Sequence, residues 1–110
     1  MRLAFDIPPV PPVPVAGQDL AYPVGRIFCV GRNYAAHAAE MGAEVDRSAP
    51  FYFTKSPAAL VIGGGVLPYP PGTADLHHEV ELVVAIGAAL AVADREAAAA
   101  AVYGHACGLD

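Results

Sequence analysis

Proline and glycine set the first limit on this chain. Pro8, Pro9, Pro11, Pro12 and Pro14 crowd its N-terminal stretch. A prolyl ring fixes φ and removes the backbone N–H, so this run forbids helix and favours extended polyproline backbone. Farther on, Gly31, Gly42, Pro57, the Gly63–Gly65 triplet and the prolines at 68, 70 and 71 end each run of strand- or helix-forming residues. Only short elements fit between such breaks.

The elements read as follows. Residues 1–22 form a proline-rich arm, expected to lie extended on the body of a domain that occupies 23–110. Arg26–Val30 alternates and is rich in branched and aromatic residues, as a strand is. Asn33 is a good N-cap, the alanines after it favour helix, and Gly42 stops it. Residues 44–50 are a loop and Phe51–Lys55 a second strand, ended by Ser56-Pro57. Residues 59–72 predict a short strand and a glycine turn. Leu76–Gly87 is the longest strand candidate. Asp94 caps a helix with Glu96 in its first turn and Gly104 as the expected C′ residue. His105–Asp110 opens another strand, with the helix returning the chain alongside as in a crossover unit. The sequence then stops inside an apolar pattern, which reads as an early end relative to the fold.

Composition excludes several classes of function. With 110 residues, 55% hydrophobic and 15% charged, the chain is globular and long enough for one domain. A chain of this size can bury about 65% of its unfolded surface. Net charge is −5, and Arg2, Arg26, Arg32, Arg47, Lys55 and Arg95 are scattered. Such a surface does not neutralise a row of phosphates, so nucleic acid and anionic membranes are poor partners. Asp6 and the prolines interrupt any secretory h-region, and no uncharged apolar run is long enough to span a bilayer. Cys29 and Cys107 sit in apolar runs without a CxxC pattern, as buried reduced thiols of a cytoplasmic protein do; a disulfide is the alternative.

The stretch Asp75-Leu-His-His-Glu-Val-Glu-Leu-Val-Val carries the first chemical signal. In a strand, Asp75, His77, Glu79 and Glu81 share one face. Carboxylates at i and i+2 lie about 7 Å apart, and their repulsion is roughly 2 kcal/mol at an effective dielectric near 20 but a few tenths in bulk water. Either the face is wet, or a cation lies between them. An all-carboxylate site suits Mg²⁺ first, then Mn²⁺ or Ca²⁺. His77 and His78 could orient such carboxylates. A third oxygen ligand is needed, and Asp110 is the candidate. A half-solvated polar strand face remains the alternative.

His37 and Glu40 are i and i+3 on the first helix and share a face. A glutamate there can fix the imidazole tautomer or take a proton through water, although a surface polar pair would look the same. Arg32 at the helix start and Lys55 at a strand end are single anion contacts or plain surface charges.

Together, "IFCVGRNYAAHAAEMG", "PFYFTKSPAALV" and "DLHHEVELVVAIG" resemble, in order and spacing, the fumarylacetoacetate hydrolase family. Its small bacterial fumarylpyruvate or acylpyruvate hydrolases, and their oxaloacetate-decarboxylase relatives, are the nearest branch. The resemblance runs from about Pro23 to Asp110. It implies an α+β fold with the mixed sheet or β-roll of that family's C-terminal domain, here its N-terminal half. It implies Glu79, Glu81 and Asp110 as ligands of a divalent metal, and His37 and Glu40 as the catalytic dyad on a lid-like helix. Lys55 matches the lysine of the family's F-x-K-P segment, although Ser56 here replaces the proline. Arg32 and Lys55 are the implied substrate contacts.

The implied reaction is hydrolysis of a carbon–carbon bond in an acylpyruvate, with a small keto acid as substrate. His37 and Glu40 activate water, and the metal stabilises the enolate that leaves. The same stabilisation serves oxaloacetate decarboxylation or isomerisation of a 2-hydroxyhepta-2,4-diene-1,7-dioate, so the family alone leaves the reaction open. A truncated piece that only binds metal or a partner chain is the alternative of another class. A homodimer is expected for the full-length form.

Overall fold

The structure, a computed structural model, describes residues 2–31 and 50–110. The helix expected over 33–42, and with it Arg32, His37 and Glu40, lies outside the described residues. The chain divides into two units, Met1–Val66 and Leu67–Asp110.

In the first unit, β1 (Pro12–Pro14) pairs antiparallel with β2 (Ala21–Pro23). The proline stretch therefore doubles back as a hairpin between residues 12 and 23, where the sequence suggested an extended arm. Its prolines are placed so that the ladder does not need them. Val24 donates its N–H to the Pro11 carbonyl at 2.9 Å, and Val15 donates to the Leu20 carbonyl at 3.0 Å. Residues 11 and 15 thus face β2, whereas the ring nitrogens of Pro12 and Pro14 fall at positions that face away. The register Val13↔Tyr22 completes the pairing.

The second sheet of this unit joins β3 (Ile27–Gly31) to β4 (Phe51–Lys55), again antiparallel, with Cys29 opposite Phe53. Strands were expected at both places, the first from its alternation. On β3, Ile27, Cys29 and Gly31 are half-buried while Phe28 and Val30 are exposed. The Arg26 guanidinium stands 5.7 Å from the Phe28 ring centre, a cation–π contact. After β4, Ser56 caps a single 3₁₀ turn (Pro57–Ala59), its Oγ accepting from the Ala58 N–H. The strand expected within 59–72 does not form. Gly64 adopts φ +89, outside any strand, and Pro68, Pro70 and Pro71 have no N–H to give a ladder.

In the second unit, β5 (Val80–Ile86) and β6 (Val102–Leu109) form the longest ladder, joined through α1 (Arg95–Ala100). The pairing is antiparallel, so the expected crossover is absent. The helix also ends earlier than expected. Its C-cap is Ala101, and Gly104 stands in β6 opposite Ala85. Pairing of the β-branched Val102 with Ile86 outweighs local helix preference there. Between Ala85 and Ile86 the register steps by one, leaving Tyr103 as the extra residue on β6.

Burial is sparse. Among the described residues only Val24 and Ala101 are buried hydrophobics, far from the burial that the length suggested. Cys29 is half-buried and Cys107 exposed, both free thiols, so the expectation of two fully buried cysteines is met at neither, and the departure is larger at Cys107. Leu82, its cross-strand partner, is 64% exposed. No described helix is long and apolar enough to cross a membrane.

Asp94 Oδ1 accepts the Ala97 N–H at 2.8 Å and caps α1. Asp94→Ala is expected to lower stability by about 0.5–1 kcal/mol, and Asp94→Asn by less, read as a shift in the urea midpoint followed by circular dichroism.

Candidate metal centre

Glu79 and Asp110 exchange both backbone hydrogen bonds: the Glu79 N–H donates to the Asp110 carbonyl at 2.7 Å, and the Asp110 N–H to the Glu79 carbonyl at 2.9 Å. They extend the β5–β6 ladder by one pair beyond Val80↔Leu109. A reciprocal pair of this kind holds its two Cα atoms about 5.5 Å apart, with both side chains on one face. Glu81 lies two residues along β5, opposite Gly108, and shares that face. One end of the hairpin therefore carries three carboxylates on one side. Glu79 and Glu81 are half-buried and Asp110 is exposed.

The face between them is kept low by small residues. Gly108 stands across from Glu81, and Ala106 across from Val83. A Cβ added at Gly108 would lie 2.9 Å from Cγ2 of Val83, so a side chain there would press on its diagonal neighbour. The glycine leaves open the space flanked by Glu81 and Asp110. The donor chemistry, all carboxylate oxygen, fits a hard divalent cation. As the side chains stand, no three His, Cys, Asp or Glu among the described residues converge around one point. The backbone register gathers the acidic positions; their rotamers would have to turn inward to ligate.

The approach to β5 differs from the sequence expectation. Residues 75–79 are not strand, so Asp75 and His77 do not continue the acidic face. Thr73 and Asp75 form a local turn instead, the Asp75 N–H donating to Thr73 Oγ1 at 3.2 Å. The Leu76 N–H donates to the Tyr69 hydroxyl at 3.1 Å. His77 Nε2 lies 2.9 Å from Asp75 Oδ1 in an exposed pair, so the imidazole meets Asp75. The Thr-x-Asp spacing was the available signal for this turn, because short hydroxyl side chains bond the backbone two residues on. Lys55 ends β4 in the first unit and is exposed.

Known proteins resemble this chain along most of its length. Residues 26–110 match the family model described as fumarylacetoacetate (FAA) hydrolase C-terminal. Oxaloacetate tautomerase YcgM of Escherichia coli (strain K12) is 43% identical over 94 residues, 86% of this chain and 42% of that protein. A fumarylpyruvate hydrolase of Ralstonia sp is 47% identical over 72 residues, 64% of this chain and 38% of that protein. The crystal structure of fumarylpyruvate hydrolase from Pseudomonas aeruginosa in complex with Mn²⁺ and pyruvate superposes with TM-score 0.86 at 42% identity. That match covers 99% of this chain and 48% of the other. The chain thus spans less than half the length of these relatives.

Without a cation, three carboxylates on one face repel one another. Glu81→Gln in EDTA is therefore expected to raise stability by a few tenths of a kcal/mol, the size that half-exposed charges allow. An unchanged or lower urea midpoint in EDTA would show that the carboxylates stand too far apart to interact.

Proposed function

The chain belongs to the fumarylacetoacetate hydrolase family, and from that premise we propose that it supplies the metal-binding and proton-transfer residues of an enzyme acting on 2-keto acids. The reaction proposed first is hydrolysis of the carbon–carbon bond of an acylpyruvate such as fumarylpyruvate. The observation that carries this reading is the reciprocal Glu79–Asp110 pair with Glu81 on the same face. The relative solved with Mn²⁺ and pyruvate adds support for a divalent metal and a keto-acid ligand.

Glu79, Glu81 and Asp110 would hold the cation, Mg²⁺ or Mn²⁺. When bound, that ion supplies Lewis-acid stabilisation for negative charge developing on an enolate. His37 takes a proton from water, with Glu40 orienting the imidazole or relaying that proton. The activated water adds to the carbonyl distal to the carboxylate, and the bond to the pyruvyl carbon breaks. Arg32 and Lys55 offer positive charge to the carboxylates of the substrate.

A second reading rests on the oxaloacetate tautomerase relative, whose match spans more of this chain than the Ralstonia hydrolase match does. Tautomerisation needs the same enolate stabilisation and a proton transfer, without attack by water. Decarboxylation of oxaloacetate breaks the bond to the departing CO₂, and needs the same enolate stabilisation and then a proton delivered to the enolate carbon.

Three measurements separate these readings. Turnover of fumarylpyruvate, acetylpyruvate and oxaloacetate is assayed with and without EDTA; the reading expects loss of turnover with EDTA and recovery with Mg²⁺ or Mn²⁺. Turnover indifferent to EDTA would remove the metal from the proposal. Glu81→Gln is expected to lose cation binding, read by titration calorimetry, together with activity. His37→Ala should keep cation binding and lower kcat by about 10²-fold or more. Loss of cation binding in His37→Ala would reverse its assigned role.

A further inference from the structure

Residues 2–6, Arg-Leu-Ala-Phe-Asp, are symmetric in polarity about Ala4 and opposite in charge across it. Leu3, Phe5 and Ile7 alternate with Arg2, Ala4 and Asp6, the period-two pattern of a strand. Among the described residues, 2–10 belong to no strand and make no backbone hydrogen bond. Leu3 is 62% exposed, Phe5 87% and Ile7 76%. Leu3 through Ile7 all carry a backbone N–H, and Pro8 and Pro9, which carry none, close the run. The stretch has the composition of a strand without a strand beside it.

We propose that this segment pairs antiparallel with the same segment of a second copy of this chain, about a two-fold axis through Ala4. Ala4 then faces Ala4, Leu3 faces Phe5, and Arg2 faces Asp6. The two-fold repeats each pair, so opposite charges meet twice on one face and leucine meets phenylalanine twice on the other. Charge selects this register. An axis through Phe5 sets Arg2 against Pro8 and Asp6 against Ala4, and neither charge finds its opposite. An axis between Ala4 and Phe5 sets Leu3 against Asp6 and Arg2 against Ile7, apolar against charged. Parallel pairing in register sets like charges together at both ends. The chain bends at Ala4 and Phe5, so pairing straightens these residues at some cost in conformational freedom. So few residues a side bury much less than a standard interface, and the association is weak, with a Kd on the order of 1 mM. The pairing is independent of the reaction the domain performs.

The test is sedimentation equilibrium of the 110-residue protein at low salt, up to about 1 mM, beside two charge-reversed variants. Arg2→Asp sets aspartate against aspartate at both charged pairs, and Asp6→Arg sets arginine against arginine. Each variant alone is expected to dimerise about tenfold more weakly than the parent, or less still. An equimolar mixture of the two sets aspartate against arginine at both pairs again. It is expected to form a heterodimer with an affinity within about threefold of the parent's. Both positions are exposed, and circular dichroism of each variant checks that its strands are intact. A parent that stays monomeric would overturn the proposal. So would variants that associate as the parent does, because the dimer would then use another surface. A mixture as weak as its two components would overturn it too, because the charges would then act without this register.

Discussion

Two hydrogen bonds, those exchanged by Glu79 and Asp110, hold the candidate centre together. They are ordinary backbone bonds, each contributing about 1 kcal/mol net. Their importance lies in register. Side chains alternate with a period of two, so a slip of one residue would send Glu79 and Glu81 to the opposite face from Asp110. The acidic face exists only in one register of the ladder. The apolar residues enforce that register from behind, because the same slip would turn Val80, Leu82 and Val84 onto the acidic side.

The hairpin is thus a plate with two different surfaces. Its acidic end depends on the ladder for position, and the ladder depends on its apolar side for stability. Chemistry on one face and packing on the other are coupled through the pleat, with no side chain passing between them. This division also explains the scarcity of buried residues. Val24 and Ala101 alone are buried hydrophobics among the described residues, while Val80, Leu82 and Leu109 project into solvent. Alternating strands supply half of a core each.

Much of this was legible in the sequence, and the failures share a cause. The strands at Arg26–Val30 and Phe51–Lys55 and the N-cap at Asp94 follow from local side-chain chemistry, and all appear where expected. Glu79 and Asp110 are far apart in the sequence; the need for a third oxygen ligand, and then the family pattern, pointed to bringing them together, but through a crossover and not the antiparallel ladder that forms. The errors arose where a neighbour in space decided the outcome. Val102 and Tyr103 read as the end of a helix until Ile86 paired with the segment. Asp75 and His77 read as strand until the Thr73 turn and the Tyr69 hydroxyl took up the backbone. The doubling back of the proline stretch was hidden because polyproline backbone and strand backbone differ little in φ and ψ.

The one-residue step opposite Ile86 has a consequence for how such a chain tolerates change in length. Tyr103 is an extra residue at the end of the ladder remote from Asp110, next to the short helix. A residue gained or lost around α1 can be taken up there by widening or erasing the bulge. The six pairs from Val80↔Leu109 to Ala85↔Gly104 then keep their partners. The step works as an expansion joint: it lets the connecting segment drift in length over evolutionary time while the acidic end keeps its alignment.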